Sequence, residues 1–301
     1  MNKDISNLPV LCFGETLWDI FENEKKPGGA PMNVAVHLSQ FGIDSRLISR
    51  VGDDVLGDQL LHFLKSKKVN AQLLQRDHQH ATGVVNVTLA SNGDARYDIV
   101  FPSAWDFIEK PAHADQMMDE PFILVFGSLA SRHEISRNTL FHLLDKASLT
   151  LFDVNFRAPH YTRELVERLL HRSNIAKVNE HEMAIIGQWI GANHDESFEN
   201  LAKQVAETYD LLQVIVTLGA KGALVNAGEK VVTHPGFKVK VADTVGSGDS
   251  FLAAYLSNLM SGESVEKCLE LASATGAYVA TQHGAVPEYS QSDVLSVMNN
   301  K

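Results

Sequence analysis

Cysteine is scarce in this sequence: only Cys12 and Cys268 are present. Neither belongs to a CxxC pair or to a Cys/His spacing that would ligate zinc, so a disulfide framework and a structural zinc site are excluded. Each sits in an apolar pattern and reads as a buried free thiol. Positive charge is also short: Lys and Arg number 26 against 37 Asp and Glu, a net charge of −11. An acidic surface repels phosphate backbones, so no nucleic-acid partner is expected. No apolar run approaches the ~20 residues of a membrane span, and the opening MNKDISNLP has no signal-peptide core. These absences read as a cytoplasmic, reducing setting with no membrane partner. Two nucleotide motifs are missing as well. No GxxxxGK[ST] occurs, and the first apolar run leads into GETLWD rather than GxGxxG. That counts against a P-loop switch and against an NAD-dependent oxidoreductase.

What is present is an ordinary globular composition, 45% hydrophobic and 21% charged over 301 residues, read as a single domain over 1–301. Short apolar runs at Val10–Phe13, Phe122–Phe126, Leu149–Val154, Ile175–Val178 and Leu212–Thr217 read as buried strands. Helical patterns separate them: Pro31 to a stop at Gly42, then Val55–Lys67, Ile135–Ala147, Arg163–Arg172 and Phe198–Thr208. This alternation predicts a mostly parallel sheet covered by helices on both faces. Gly222–Asn226 and Lys230–Thr233 read as a late hairpin, and two helices, near 248–261 and 264–282, close the chain. Gly83–Leu89 and Tyr97–Phe101 flank Ser91-Asn92-Gly93-Asp94, a hairpin signal out of step with the alternation. It is placed outside the main sheet as a flap or lid.

Ligands of an open parallel sheet bind beyond the carboxyl ends of its strands. Those ends carry Glu15 and Asp19, then Asp153, Asn155 and Arg157, then Asn179 and Glu182, then Thr217 and Gly219 with Lys221 and Gly222. Together they suggest a polar crevice compatible with magnesium. DTVGSGDSF (Asp243–Phe251) opens a helix apolar almost all round. The amino end of a buried helix carries unpaired N–H groups and partial positive charge. Gly246-Ser247-Gly248 would let that backbone approach an anion closely. Asp249 is the odd member. It is either a plain helix N-terminal acid or a base for a hydroxyl attacking a phosphate held by the turn.

GGAPMN (Gly28–Asn33) and DTVGSGDSF resemble the two signature motifs of the PfkB/ribokinase family of sugar kinases. Asn179 with Glu182 matches its NxxE motif. DVNFR (Asp153–Arg157) and GETLWD resemble the DPNxR and GExLxD stretches of its fructokinase-like members. The resemblance covers about 10–290. The family usually has DTTGAGD, with Thr and Ala where Val245 and Ser247 stand here, and a proline where Val154 stands.

The resemblance implies a ribokinase-like three-layer α/β/α fold, with a small β lid built from segments near 15–30 and 82–108. It implies an ATP-dependent kinase for a sugar, D-fructose at its 6-hydroxyl first, with 2-keto-3-deoxygluconate and ribose as alternatives. By the same resemblance Asp249 is the base, and Gly246, Ser247 and Gly248 form the anion hole. Asp19, Gly28, Gly29, Asn33 and Arg157 bind sugar, with Arg157 also suited to a ketoacid carboxylate. Thr217, Gly219, Gly222, Gly246 and Gly248 meet the nucleotide. Asn179 and Glu182 hold Mg²⁺ through water, although Asn and Glu equally suit a helix start. Asp243 marks a monovalent-cation site that would take K⁺. Lys177 would reach a phosphate only from inside a strand. Trp18, Trp105 and Phe107 either cap the sugar or pack in the core. Open edges on a lid would let two lids pair as a homodimer. A non-catalytic sugar or nucleotide sensor on the same scaffold remains the reading from a different class.

Overall fold

The computed structural model describes residues 4–89, 95–111 and 120–299. Nine strands form one sheet in the order β13-β12-β11-β10-β9-β8-β1-β4-β5. The seven strands from β11 to β5 are parallel: β11 (Gln213–Thr217), β10 (Ile175–Asn179), β9 (Leu149–Asp153), β8 (Ile123–Gly127), β1 (Val10–Phe13), β4 (Ser45–Gly52) and β5 (Leu74–Asp77). The expected late hairpin, β12 (Ala223–Ala227) and β13 (Lys230–His234), adds two antiparallel strands at one edge.

Alternate side chains on each strand divide the core into two layers, as the period of two requires. Leu11, Phe13, Leu124, Phe126, Phe152 and Val216 pack on one face. That face is covered by α3 (Glu134–Leu144), α4 (Arg163–Leu170), α5 (Glu180–Trp189) and α6 (Phe198–Tyr209). Val10, Cys12, Ile123, Val125, Leu151 and Ile215 pack on the other. There the cover is α1 (Ala30–Gln40), α2 (Val55–Ser66), α7 (Ser247–Met260) and α8 (Val265–Ala280). The three-layer α/β/α architecture with its mostly parallel sheet is the ribokinase-like fold. Both cysteines are free and buried. Among the described residues no helix is long and apolar enough to cross a membrane.

A smaller sheet of order β3-β2-β6-β7 stands apart, made of β2 (Leu17–Ile20), β3 (Lys25–Gly28), β6 (Gly83–Leu89) and β7 (Ala95–Ile99). The out-of-step hairpin is therefore outside the main sheet. The turn assigned to Ser91–Asp94 lies outside the described residues. β2 and β3 lie in the 15–30 segment expected in the lid, whereas β4 and β5 have no counterpart among the expected strands. A third closing helix, α9 (Gln291–Asn299), was also not foreseen. Trp18 and Trp105 are core residues: Trp18 donates Nε1–H to the Leu56 carbonyl at 3.0 Å, and Trp105 is fully buried. Phe107 stacks on His80 at 3.6 Å between ring centroids.

Candidate active site

The two signature stretches lie more than two hundred residues apart in sequence and meet in space. Asn33, buried on α1, donates Nδ2–H to Asp249 Oδ2 at 2.8 Å. The Oδ1 of Asn33 is buried with no partner. Asp249 stands in the first turn of α7, and burial, with Asp153 nearby, pushes its carboxyl up to about 6. The bond from Asn33 and the charges of Lys177 and Arg157 pull the other way.

Gly246 caps α7 in the left-handed region, at φ 78°, and no side chain caps the helix. A Cβ there would lie 2.1 Å from the Ala285 carbonyl oxygen, so only glycine fits. Ser247 turns its hydroxyl away from the turn's open side and donates to the Gly276 carbonyl at 3.0 Å. The serine that departs from the family pattern is thus absorbed by packing on α8, and its backbone N–H donates to the Thr244 carbonyl at 3.2 Å. Uncapped N–H groups at the amino end of a buried helix suit an anion.

Beneath this turn lies a group that the sequence reading doubted. Lys177 projects from β10 and donates to both oxygens of Asp153, at 2.9 and 3.0 Å. The two residues face each other on neighbouring parallel strands, and both are buried. A Cβ on Gly248 would lie 3.4 Å from Lys177 Nζ, so the ammonium sits directly against the turn. The nearby acids hold its pKa above the ordinary value despite burial. A charged residue inside the apolar strand IAKVN was the available signal, because a buried charge needs a partner.

Asn179 and Glu182 form a capping box at the start of α5. Glu182 accepts from the Asn179 N–H through Oε2 and from the Phe156 N–H through Oε1, both at 2.8 Å. Their first role is structural, tying the DVNFR loop to α5. Burial and Asp153 raise the Glu182 carboxyl. Among the described residues no three acidic, His or Cys side chains are grouped to ligate a metal directly. The spare lone pairs of Glu182 fit an ion that keeps its water shell.

The sugar-side residues also converge. Asp19, on β2, is pushed up to about 6 by burial, against the pull of Arg157 and Lys26. A Cβ on Gly28 would meet Asp19 Oδ2 at 2.5 Å, and one on Gly29 would meet the Glu15 carbonyl at 2.3 Å. Glu15 is buried and held up to about 7 by desolvation, with Oε2 unpartnered. Arg157 is exposed, and the Glu15, Asp19 and Asp249 carboxyls all feel its charge. Thr217 ends β11 and its hydroxyl donates to the Val178 carbonyl at 3.4 Å. Gly219, at φ 58°, has open space where a Cβ would point. Gly222 is required by its contact with the His234 carbonyl, which is local packing. Asp243 accepts from the N–H groups of Val245 and Gly284, joining the turn before α7 to the loop after α8.

Known carbohydrate kinases resemble this chain over nearly its whole length. The pfkB family carbohydrate kinase model matches residues 2–291. A sugar kinase of Pyrococcus horikoshii is 32% identical over 262 residues, 81% of this chain and 76% of that one. Its solved structure, in complex with ATP, has a TM-score of 0.78 at 28% identity over 92% of this chain and 93% of that chain. The fructokinase of Salmonella typhimurium is 28% identical over 300 residues, 93% of this chain and 95% of that one. A fructokinase double mutant from Vibrio cholerae O395, in fructose, ADP and potassium ion bound form, has a TM-score of 0.82. It is 25% identical, covering 98% of this chain and 99% of that chain.

Proposed function

The chain belongs to the pfkB family of carbohydrate kinases, and on that premise we propose that it transfers the γ-phosphoryl group of ATP to the 6-hydroxyl of D-fructose. The observation that carries this reading is the 2.8 Å bond from Asn33 to Asp249 at the uncapped start of α7. It joins the sugar-side motif to the phosphate-side motif at one carboxylate.

In this reading Gly246, Ser247 and Gly248 form the anion hole, with the N–H groups of Gly246 and Gly248 receiving the transferring phosphoryl group and that of Ser247 shared with the Thr244 carbonyl. Asp249 is the general base. Asn33 occupies Oδ2, which leaves Oδ1 for the sugar hydroxyl. That hydroxyl has a pKa far above the value of about 6 held by Asp249. Its proton therefore moves late, as P–O bond formation acidifies it. Asp19, Gly28, Gly29 and Arg157 hold the sugar, and the unpartnered Oδ1 of Asn33 fits a donor hydroxyl. Thr217 and Gly219 border the nucleotide. Magnesium bound with ATP would neutralise phosphate charge, with Glu182 and Asn179 holding it through water. Asp243 is proposed to stand beside a monovalent cation, K⁺. The small sheet would close over the sugar as a lid and exclude water. Two free buried thiols fit a cytoplasmic, reducing compartment.

The test is Asp249→Asn with a panel of fructose, ribose, 2-keto-3-deoxygluconate and nucleosides. The variant should lose at least about a hundredfold in kcat while ATP affinity changes little. Near-normal turnover would remove Asp249 as base. A tenfold preference in kcat/KM for ribose or the ketoacid would replace fructose. Binding without turnover in the wild type would make the protein a sensor.

A further inference from the structure

A cavity of about 510 Å³ opens beside the DVNFR loop, within the range of small-molecule sites. Arg132, Arg137, Arg168, His160, Tyr161 and Phe101 line it. Three guanidinium groups around one hollow are anomalous on a chain of net charge −11. Arg132 is matched: Nε and Nη2 donate to the Asp106 carboxylate at 2.7 and 2.8 Å, and its guanidinium lies 4.0 Å from the Trp105 ring centroid. Arg137 donates to the Ser131 carbonyl, Arg168 lies over the Phe141 ring, and neither makes an ion pair among the described residues. Thr162 and Glu164, at the amino end of α4, also border the cavity, and the Thr162 hydroxyl accepts from the Leu165 N–H. The Glu164 carboxylate is drawn back onto its own N–H and the Thr162 hydroxyl.

This cavity is distinct from the cleft. Glu15, Asp19 and Asp249 feel Arg157, whereas His160 feels Arg132, Asp106 and Asp98. None of the cavity's lining residues is among Glu15, Asp19, Gly28, Gly29, Asn33, Arg157 and Asp249, and Pro159–Tyr161 follow Arg157 by a few residues.

We propose that this cavity is a second ligand site, for a small phosphate ester of a polyhydroxylated metabolite, with its phosphate on Arg137 and Arg168. Two guanidinium forks that lack carboxylate partners match a phosphate dianion in charge and geometry. Tyr161 and Phe101 offer apolar faces to a sugar ring, and His160 and the Thr162 hydroxyl offer polar groups to its oxygens. Because the ligand would bridge the end of β7 and the DVNFR loop, it would bear on the position of Arg157.

The experiment is calorimetric titration of the intact protein with glucose 6-phosphate and with inorganic phosphate. Saturable binding is expected. Arg137→Gln with Arg168→Gln should weaken both probes at least tenfold, whereas Arg157→Ala in the cleft should leave them within twofold. Leu165→Trp, which fills the cavity and keeps the guanidinium groups, should weaken glucose 6-phosphate more than inorganic phosphate. The Arg137/Arg168 double variant should keep wild-type kcat and KM without added phosphate ester, so the result is independent of the kinase assignment. No saturable binding at millimolar concentration, or binding lost in Arg157→Ala and kept in the double variant, would overturn the site.

Discussion

Asn33→Ala gives the sharpest test of the proposed base. Activity requires the ionised carboxylate, so kcat/KM should rise with pH through the pKa of Asp249. With that group at about 6, it is about 90% ionised at pH 7 and about 10% at pH 5, a roughly tenfold fall. An unperturbed aspartate would show almost none over that range. Glu15, at about 7, and Asp19, at about 6, titrate in the same window, so the limb alone does not identify its owner. Asn33 supplies the identification, because its Nδ2 bonds Asp249 and neither of the others. A hydrogen bond to a charged acceptor is worth about 1.5–3 kcal/mol, and water replaces part of it. Loss of the bond should raise the Asp249 pKa by about one unit, at 1.36 kcal/mol per unit. Initial rates of ADP release from pH 5 to 9 should show the acid limb moving from about 6 to about 7. At pH 6 the variant would drop from about half of its plateau to about a tenth. A limb that stays in place in an active Asn33→Ala enzyme would refute Asp249 as the titrating base.

Gly246→Ala must place a Cβ 2.1 Å from the Ala285 oxygen at φ 78°. It should cost more than about 2 kcal/mol in urea unfolding, and a cost under about 0.5 would show that the turn relaxes freely. Lys177→Met leaves Asp153 buried without its partner and should destabilise by about 3–5 kcal/mol. Adding Asp153→Asn should recover at least about half of that in a double-mutant cycle, and strict additivity would refute the pairing. Glu15 has its folded-state pKa raised from 4.5 to about 7 by burial. The folded protein therefore binds the extra proton between those values, and the stability this contributes is present below 4.5 and lost as pH rises through 7. Glu15→Gln should then stabilise by up to about 3 kcal/mol at pH 8 and by under about 1 kcal/mol at pH 5. Equal effects at both pH values, read by urea unfolding, would refute the shift.

The parts legible in the sequence are those whose physics is local. Val10–Phe13 and Val214–Val216 are apolar throughout because both faces of a central parallel strand are covered. DTVGSGD is legible because a turn that must bring backbone to an anion has to be built of small residues. β4 was missed for the opposite reason. Its sequence, SRLISRVG, carries polar residues in two adjacent pairs, Ser45-Arg46 and Ser49-Arg50, which fit no strand period and are made tolerable only by distant partners. Ser45 donates to the Ala35 carbonyl at 2.7 Å, and Arg50 pairs with Asp77 on β5 at 2.8 Å. β2 and β3 are four residues each and contain Asp, two lysines and a proline. They become strands only by pairing with each other and with β6. Lys177 is the same case at the candidate site. A lysine inside a strand is improbable until register sets Asp153 beside it, and register is a property of the assembled sheet.

That pairing also bears on the conflict within the α7 turn, which in the proposed reading attracts phosphate while carrying an acid. The first turn of α7 divides the two demands between neighbouring residues. Gly248 has no side chain and lets the Lys177 ammonium, itself paired with Asp153, lie against the turn. Asp249, one residue on, turns to α1, where Asn33 holds one oxygen at 2.8 Å. Asp153 keeps Lys177 from swinging over to neutralise Asp249, because both of its oxygens already hold the ammonium. Asp249 consequently stays without a direct ion-pair partner among the described residues, and its carboxyl sits near 6. A fully paired aspartate would be a weaker base, and one without the Asn33 bond would be only about half ionised at pH 7. The value near 6 lies between those limits, where a carboxylate is ionised at pH 7 and still basic enough to take a proton from a hydroxyl as it bonds to phosphorus.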